Sequence, residues 1–553
     1  AGKLSWNIEN EDHVTAPAAS KQLQLPQFLI PQESWVLDFG YILDFFLFQN
    51  PNHQPELILS LSLPELCQQL GDGSLTPESV FYTYVDKALK VTADVNCIID
   101  YIAENESQLL HMNSKGKKGL LYGVPISIKD SINCKGYDTT LGFVKRLFQP
   151  AAEDAVIVQV LKHQGAIPFV KTNIPQSLLN YDCSNPIFGS TVNPLNPTKS
   201  PGGSSGGEGA LIKNGGSILG IGTDIAGSIR LPSAFCGICG LKTTSNRIRL
   251  LFKCFLFTCF LLPVFVGLGP MARDVDSLAL CLKALLCKKM FHLDPTVPPL
   301  PFNEQVYTSS GRLRIGYHVT NSYSMPNPSM IRAVLETKEL LEINGHVVCI
   351  LIRGEADICC TKGLSFRRQH HEDEPVDQYL RMSMLLLKVP YWMRRVLSWI
   401  IRPIVSNISY YLFLSGAGFP NLCSVIRACV IGVTVFLVLL ITASCSGELN
   451  SHLISLLFFV CTEITSNTIL YNYLDFPAGV VPVTTVTKED EEELKNFKGH
   501  FNDLGDKLFA KAVKESVGLP VAIQCVALPL QEELCLRFMK EVEKLTREKS
   551  RKQ

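Results

Sequence analysis

The 553-residue chain has no surplus charge of either sign: 51 Lys and Arg offset 51 Asp and Glu, and charged residues make up only 18% of the total. Nucleic-acid binding draws on a clustered excess of Lys and Arg, so no nucleic-acid partner is expected. The phosphate-loop pattern G-x-x-x-x-G-K-[ST] is absent, and Gly220-Ile221-Gly222 has Ile225 where a dinucleotide fingerprint has its third glycine. A nucleotide cradle is therefore excluded. Cys236 and Cys239 form one C-x-x-C with no second pair at zinc-ribbon spacing, and 19 cysteines cannot all pair. They read as reduced, mostly packed side chains, as does the crowded set Cys359, Cys360, His370 and His371. No metal or cofactor is expected. The chain starts at Ala1 without a basic stretch leading into a short apolar run, so no secretory signal peptide is expected. What the chain has in quantity is apolar surface: 46% hydrophobic residues and a mean hydropathy of +0.17. That is too much for a disordered chain and more than a soluble one needs, so a membrane contact is expected.

Length alone suggests three or four domains as a soft prior, although a large α/β enzyme can wrap this many residues around one sheet. Residues 1–46 mix Pro, Gln and Ser with apolar residues, and Glu33, Asp38 and Asp44 interrupt any span able to cross a bilayer. From Ser62 the pattern changes. Ser62 with Glu65 is a capping box, and Thr76-Pro77-Glu78 is a second helix start. Tyr122 to Lys129 reads as a strand, Asp154 to Gln164 as a helix closed by Gly165, and Ala166 to Lys171 as another strand. Strand, helix, strand at this spacing implies a crossover and an α/β sheet. Leu474 to Val486, Val517 to Val526 and the amphipathic Glu532 to Leu545 return to the same pattern, around a charged loop from Lys488 to Asp506.

Between Gly202 and Gly227 lie ten of the 38 glycines, interleaved with Ser204, Ser205, Ser217, Thr223 and Asp224. Such density marks a chemical site or a linker, and the apolar Ala210 to Ile212 and Ile218 to Ile221 argue against a linker. Gly203-Ser204-Ser205-Gly206-Gly207 satisfies the nucleophile-elbow pattern G-x-S-x-G, centred on Ser205. An elbow needs a strand running into it, whereas Lys199-Ser200-Pro201 precedes this one, and the nearest histidine, His163, reads as a surface or packing residue. Serine chemistry without histidine needs another base. Lys129 ends an apolar strand, where burial lowers an amine pKa from about 10.4 by several units. A lysine that merely ends a strand and reaches water is the alternative.

Three blocks decide the matter: Gly123-Val124-Pro125-Ile126-Ser127-Ile128-Lys129-Asp130, Pro201-Gly202-Gly203-Ser204-Ser205-Gly206-Gly207-Glu208-Gly209, and Gly222-Thr223-Asp224-Ile225-Ala226-Gly227-Ser228-Ile229-Arg230. They resemble the amidase signature family, in family order, with 75 residues from Lys129 to Ser204 and 24 from Ser204 to Ser228. Within the family, Leu121 to Lys129, Pro175 to Pro186, Ser233 to Lys242, Gly269 to Pro301 and Leu474 to Val486 look like the membrane-bound fatty-acid amide hydrolases. The likeness covers residues 50–248, 268–415 with a weak patch at 352–376, and 468–547.

The resemblance implies an α/β amidase-signature fold: a mixed central sheet flanked by helices, with an amphipathic membrane-binding cap. It implies a domain over 47–547, with a signature core at 120–248 and a cap at about 380–415. It implies Ser228 as nucleophile, Ser204 as bridging serine and Lys129 as base, with the amides of Ile225, Ala226, Gly227 and Ser228 forming the oxyanion hole. Such donors contribute roughly 3 kcal/mol each in other hydrolases. Thr223, Asp224 and Arg230 are expected to hold the loop. Leu178 and Leu179 match positions near the family's acyl channel. The implied substrates are long-chain fatty-acid amides, and the implied partners are membrane lipid and a second copy of the chain. The implied location is an intracellular membrane of the endoplasmic reticulum type, with the site facing the cytoplasm.

The residues themselves support the cap. From Lys388 to Arg402, Lys388, Arg394, Arg395, Ser398 and Arg402 recur at helical spacing while Val389, Trp392, Met393, Val396, Leu397, Trp399 and Ile400 fill the other faces. A basic amphipathic helix with two tryptophans suits a bilayer interface, and a helix packed on the core is the alternative.

Three features depart from the family. Ala226 stands where the family has glycine, which would hinder the oxyanion loop if positive φ were needed there. A catalytically impaired relative, or an amidase of other amides, is the rival reading. Leu250 to Gly269 is an unfamiliar apolar run. Ala428 to Gly447 carries no charge over 20 residues, about 30 Å as a helix and enough to cross a bilayer. It lies within Phe419 to Asn467, where the family has a polar helix and a core strand. Either a membrane span interrupts the sheet there, or the stretch is translated intervening sequence and the strand is missing.

Overall fold

The computed structural model describes residues 54–105, 109, 119–178, 180–248, 266–320, 325–350, 393, 396, 435–439, 467–502 and 504–552. Local signals set the entry to the fold. After α1 (Pro55–Ser60), the Ser62 hydroxyl accepts from the Glu65 amide while Glu65 accepts from the Ser62 amide at 2.8 Å, opening α2 (Leu63–Asp72) as the capping box predicts. Thr76 caps α3 (Pro77–Val95).

Next come β1 (Ile98–Tyr101), β2 (Pro125–Lys129), α4 (Val156–His163) and β3 (Ile167–Thr172). Of these, β2, α4 and β3 match the predicted strand, helix and strand, with ends shifted by at most three residues. A small ribbon, β4 (Ser184–Asn185) and β5 (Gly189–Ser190), precedes α5 (Gly206–Lys213), β6 (Leu219–Asp224), α6 (Arg230–Cys236), β7 (Cys239–Lys242) and β8 (Gly267–Ala272). Then follow α7 (Val275–Leu285), α8 (Lys288–Leu293), α9 (Glu304–Thr308), β9 (Arg314–Tyr317), α10 (Pro328–Ile343), β10 (Val347–Ile350) and β11 (Val435–Leu439). The chain closes with β12 (Ala478–Thr485), α11 (Lys488–Leu494), α12 (Leu504–Ala512), β13 (Pro520–Ala527) and α13 (Glu532–Lys552).

Among the described residues, one mixed sheet of 11 strands runs in the order β1-β3-β2-β6-β8-β7-β12-β13-β11-β9-β10. β3, β2 and β6 are parallel neighbours, and β6 to β13 alternate antiparallel through β8, β7 and β12. Every residue of β2, β3, β6 and β13 is buried, so helices cover both faces, as a parallel-strand sheet requires. The α13 helix buries Cys535, Leu536, Phe538, Met539, Val542 and Leu545, one face at helical spacing, against β12 and β13.

Two expectations are corrected here. The charged stretch from Lys488 is not a loop throughout: Thr487 and Asp490 cap each other reciprocally, and the acidic first turn suits the helix dipole of α11. The second correction concerns the apolar run 428–447. Its residues 435–439 are extended, pairing antiparallel with β13 and parallel with β9, so a strand does occupy the sheet between them. A continuous bilayer-crossing helix over 428–447 is incompatible with that pairing. The run Val-Phe-Leu-Val-Leu is β-branched and aromatic enough for a strand, and hydropathy cannot separate a buried strand from a membrane span. Among the described residues, no helix is long and apolar enough to cross a membrane.

Candidate active site

The site forms at the carboxyl ends of the parallel strands β2 and β6. Lys129 is the last residue of β2, in register with Thr172 of β3, and is fully buried. Its ammonium contacts are Ser204 Oγ at 2.8 Å and the Thr223 carbonyl at 3.1 Å. Burial draws its pKa down from 10.5 to about 7, with the Asp224 carboxylate pulling less strongly the other way. An amine so placed exchanges its proton near neutrality.

Ser204 lies in the glycine turn before α5 and is 1% exposed. The Gly203–Ser204 peptide is cis. A Cβ on Gly203 would meet the Asn180 and Asp182 carbonyl oxygens at 2.6 and 2.7 Å, so only glycine lets the turn pass this close. The Ser205 amide donates to the Ser228 carbonyl at 3.1 Å, which ties this turn to the loop after β6. The structure thus brings Lys129, Ser204 and Ser228 into one buried neighbourhood, with Ser228 6% exposed. No strand runs into Ser205, its buried Oγ makes no hydrogen bond, and His163 sits exposed at the end of α4. The elbow reading has no support in this geometry.

The loop after β6 is held by its own acid. Asp224 accepts from the amides of Gly227 at 2.8 Å and Ile229 at 3.0 Å, and pairs in two-pronged fashion with Arg230. Within the expected oxyanion set, the Gly227 amide is engaged by Asp224, whereas those of Ile225, Ala226 and Ser228 make no hydrogen bond among the described residues. The backbone part of the concern over Ala226 does not arise. It lies outside the left-handed region, while Gly227, at φ 122°, holds the conformation that favours glycine. The methyl of Ala226 therefore adds no backbone strain.

Arg230 is fully buried at the hub of this network. Besides Asp224 it donates to the Thr468 carbonyl at 2.9 Å, Gln524 Oε1 at 2.6 Å and Asn472 Oδ1 at 2.5 Å. Burial alone would raise the Asp224 carboxyl, but the Arg230 guanidinium holds it well below the usual carboxylate range. Replacing Arg230 with Gln is expected to destabilise the fold by about 3 to 5 kcal/mol, because Asp224 would stay buried without its cation. Denaturant unfolding of the purified variant measures this, and an unchanged midpoint would contradict it.

Four contributors were not singled out in the sequence. Glu208 is fully buried on Ser127 at 2.5 Å and Thr172 at 2.9 Å, and burial pushes its carboxyl up to about 8. As the only charged residue between Gly202 and Ile212, it was a visible signal. Thr468, Asn472 and Gln524 reach the loop across more than 230 residues of chain, and no local pattern marks them. Leu178 is half-buried at φ 63°. Leu179, Trp392, Arg394, Arg395, Trp399 and Arg402, and the set Cys359, Cys360, His370 and His371, lie outside the described residues.

The sequence profile of the Amidase family matches residues 79–351. Fatty-acid amide hydrolase 1 of Sus scrofa is 50% identical over 522 residues, covering 90% of this chain and 88% of that protein. The chain belongs to the amidase family. It is an amide-hydrolysing enzyme, and its mixed sheet with flanking helices is the amidase-signature fold. This amidase is also 54% identical to the vitamin D3 hydroxylase-associated protein of Gallus gallus over 370 residues, 65% of this chain and 80% of that one. A solved fatty acid amide hydrolase superposes with a TM-score of 0.68 at 23% identity, covering 95% of this chain and 91% of that one, a likeness of fold.

Proposed function

We propose that this amidase cleaves long-chain fatty-acid amides to a free fatty acid and an amine or ammonia, through a Ser-Ser-Lys relay and an acyl-enzyme. The observation that carries the reading is the 2.8 Å contact between the buried Lys129 amine and Ser204 Oγ. When the amine is neutral the donor reverses, and the Ser204 hydroxyl donates to Nζ. Ser204 then takes the Ser228 proton as Ser228 Oγ attacks the amide carbonyl. The unpaired amides of Ile225, Ala226 and Ser228 are available to the oxyanion. The carbon–nitrogen bond breaks as the proton returns along the relay to the leaving nitrogen. Water then attacks the acyl ester, losing its proton to the same relay, and Ser228 is restored.

The fatty-acid preference rests on the relative from Sus scrofa and on the apolar character of residues 388–402. Met393 and Val396, the two residues of that stretch described, are helical and 39% and 51% exposed, as an apolar face meeting a bilayer would be. With this reading go the roles that the family resemblance implies: Leu178 and Leu179 near an acyl route, Trp392, Arg394, Arg395, Trp399 and Arg402 as membrane contacts, and a homodimer.

Competition between oleamide and a short-chain primary amide tests the substrate class. The long amide is expected to win in kcat/KM by at least tenfold, since each buried methylene contributes about 0.8 kcal/mol. Equal or reversed preference would instead favour an amidase of other amides.

A further inference from the structure

The carbonyl oxygen of Ala226 accepts two side-chain hydroxyls, Tyr181 Oη at 2.9 Å and Thr468 Oγ1. The other end of the same peptide unit, the Gly227 amide, donates to Asp224 Oδ1 at 2.8 Å. A peptide unit is planar, so gripping its carbonyl and its amide fixes the whole plane. We infer that Tyr181 and Thr468 are positioning residues that lock the Ala226–Gly227 peptide and keep its carbonyl turned away from the oxyanion of the tetrahedral intermediate. This rests on the acyl-transfer reading above.

The physical case is electrostatic. The loop carries three unpaired amide donors, and a carbonyl among them is the one backbone group that would repel a developing negative charge. With a single donor removed, the Ala226 oxygen keeps one partner and its peptide is held less firmly; with both removed, a partly buried acceptor loses both hydroxyls and its peptide is released to turn. The grip comes from two distant parts of the chain. Tyr181 precedes the glycine turn, and Thr468 stands in a helical segment at 467–473. That segment is itself fastened to the loop: Arg230 holds the Thr468 carbonyl at 2.9 Å, and the Asn472 side-chain amide donates to the Asp224 carbonyl at 2.9 Å. Thr468 also crowds the loop, since a Cβ on Gly227 would sit 2.9 Å from its Oγ1. The oxyanion loop is thus set by the segment that resumes just after the family's pattern is broken.

The test uses the purified full chain and the variants Tyr181→Phe, Thr468→Val, Thr468→Ser and the double variant Tyr181→Phe/Thr468→Val. Each single loss of a hydroxyl is expected to lower kcat about tenfold, in line with one hydrogen bond of roughly 1 to 1.5 kcal/mol, with KM nearly unchanged. The double variant is expected to fall further. Affinity for a long-chain trifluoromethyl ketone, which adds Ser228 to give a tetrahedral oxyanion, should fall by the same factor as kcat/KM. Thr468→Ser, which keeps the hydroxyl, should stay near the unsubstituted rate. Full kcat in both Tyr181→Phe and Thr468→Val would overturn the inference, as would loss of rate in Thr468→Ser equal to that in Thr468→Val. An unsubstituted chain that neither hydrolyses the amide nor takes up the ketone would overturn the acyl-transfer reading itself, an outcome distinguishable because it precedes any substitution.

Discussion

Ser228→Ala is expected to abolish labelling by a fluorophosphonate probe and to lower amide hydrolysis on the order of 10⁴-fold or more, whereas Ser205→Ala retains labelling. The two serines differ in what surrounds them. Ser205 Oγ is buried at the start of α5 with no hydrogen-bond partner, so nothing there can take its proton. Ser228 stands in a loop where its own amide and those of Ile225 and Ala226 make no hydrogen bond among the described residues, and its carbonyl is tied to the turn that carries Ser204. Gel-based labelling of the two purified variants, with hydrolysis followed in parallel, separates the possibilities. Labelling lost in Ser205→Ala and kept in Ser228→Ala would restore the elbow reading and remove the relay.

The second large effect belongs to Lys129. In the proposed relay its neutral form is the base, and burial brings its pKa to about 7, so kcat/KM should rise as pH increases through 7 and then level off. Lys129→Ala is expected to cost roughly 10² to 10⁴-fold, most visibly at neutral pH, and to erase that inflection. Lys129→Arg should be no better, because a guanidinium keeps its proton throughout the accessible range. Burying it on the Ser204 side of β2 adds a charge with no carboxylate in contact. Steady-state rates across the neutral range measure both variants. A profile in Lys129→Ala that keeps the inflection near 7 would assign the titration to another group.

Much of this site was legible in the sequence because its parts lie within a hundred residues and each sits beside a local signal. Lys129 ends an apolar strand, Ser204 lies in a glycine turn, and Ser228 follows β6. Parallel pairing of β2 with β6 then brings the ends of both strands to one edge. The helix caps at Ser62 and Thr76 and the order β2, α4, β3 were equally readable, since each depends on neighbours a few residues away. What was not legible depended on distance. The engagement of the Gly227 amide by Asp224 follows from a loop conformation that Arg230 fixes through Thr468, Asn472 and Gln524. Nothing in the composition of 467–473 points to that role. The strand Val435–Leu439 was hidden for another reason: an uncharged run satisfies a bilayer and the middle of a sheet equally well, and only pairing with β13 and β9 distinguishes them. The helix after Thr487 is hard to read from composition, because an acidic first turn looks the same as a solvated loop.

The proposed chemistry requires a neutral amine that draws a proton through one serine to activate another. Peptide mapping of the fluorophosphonate adduct, with the rate of its formation followed across the neutral range, tests this most directly. The adduct is expected on Ser228, forming faster as pH rises through about 7. An adduct on a different serine, or a rate on Ser228 that ignores pH throughout that range, would contradict it.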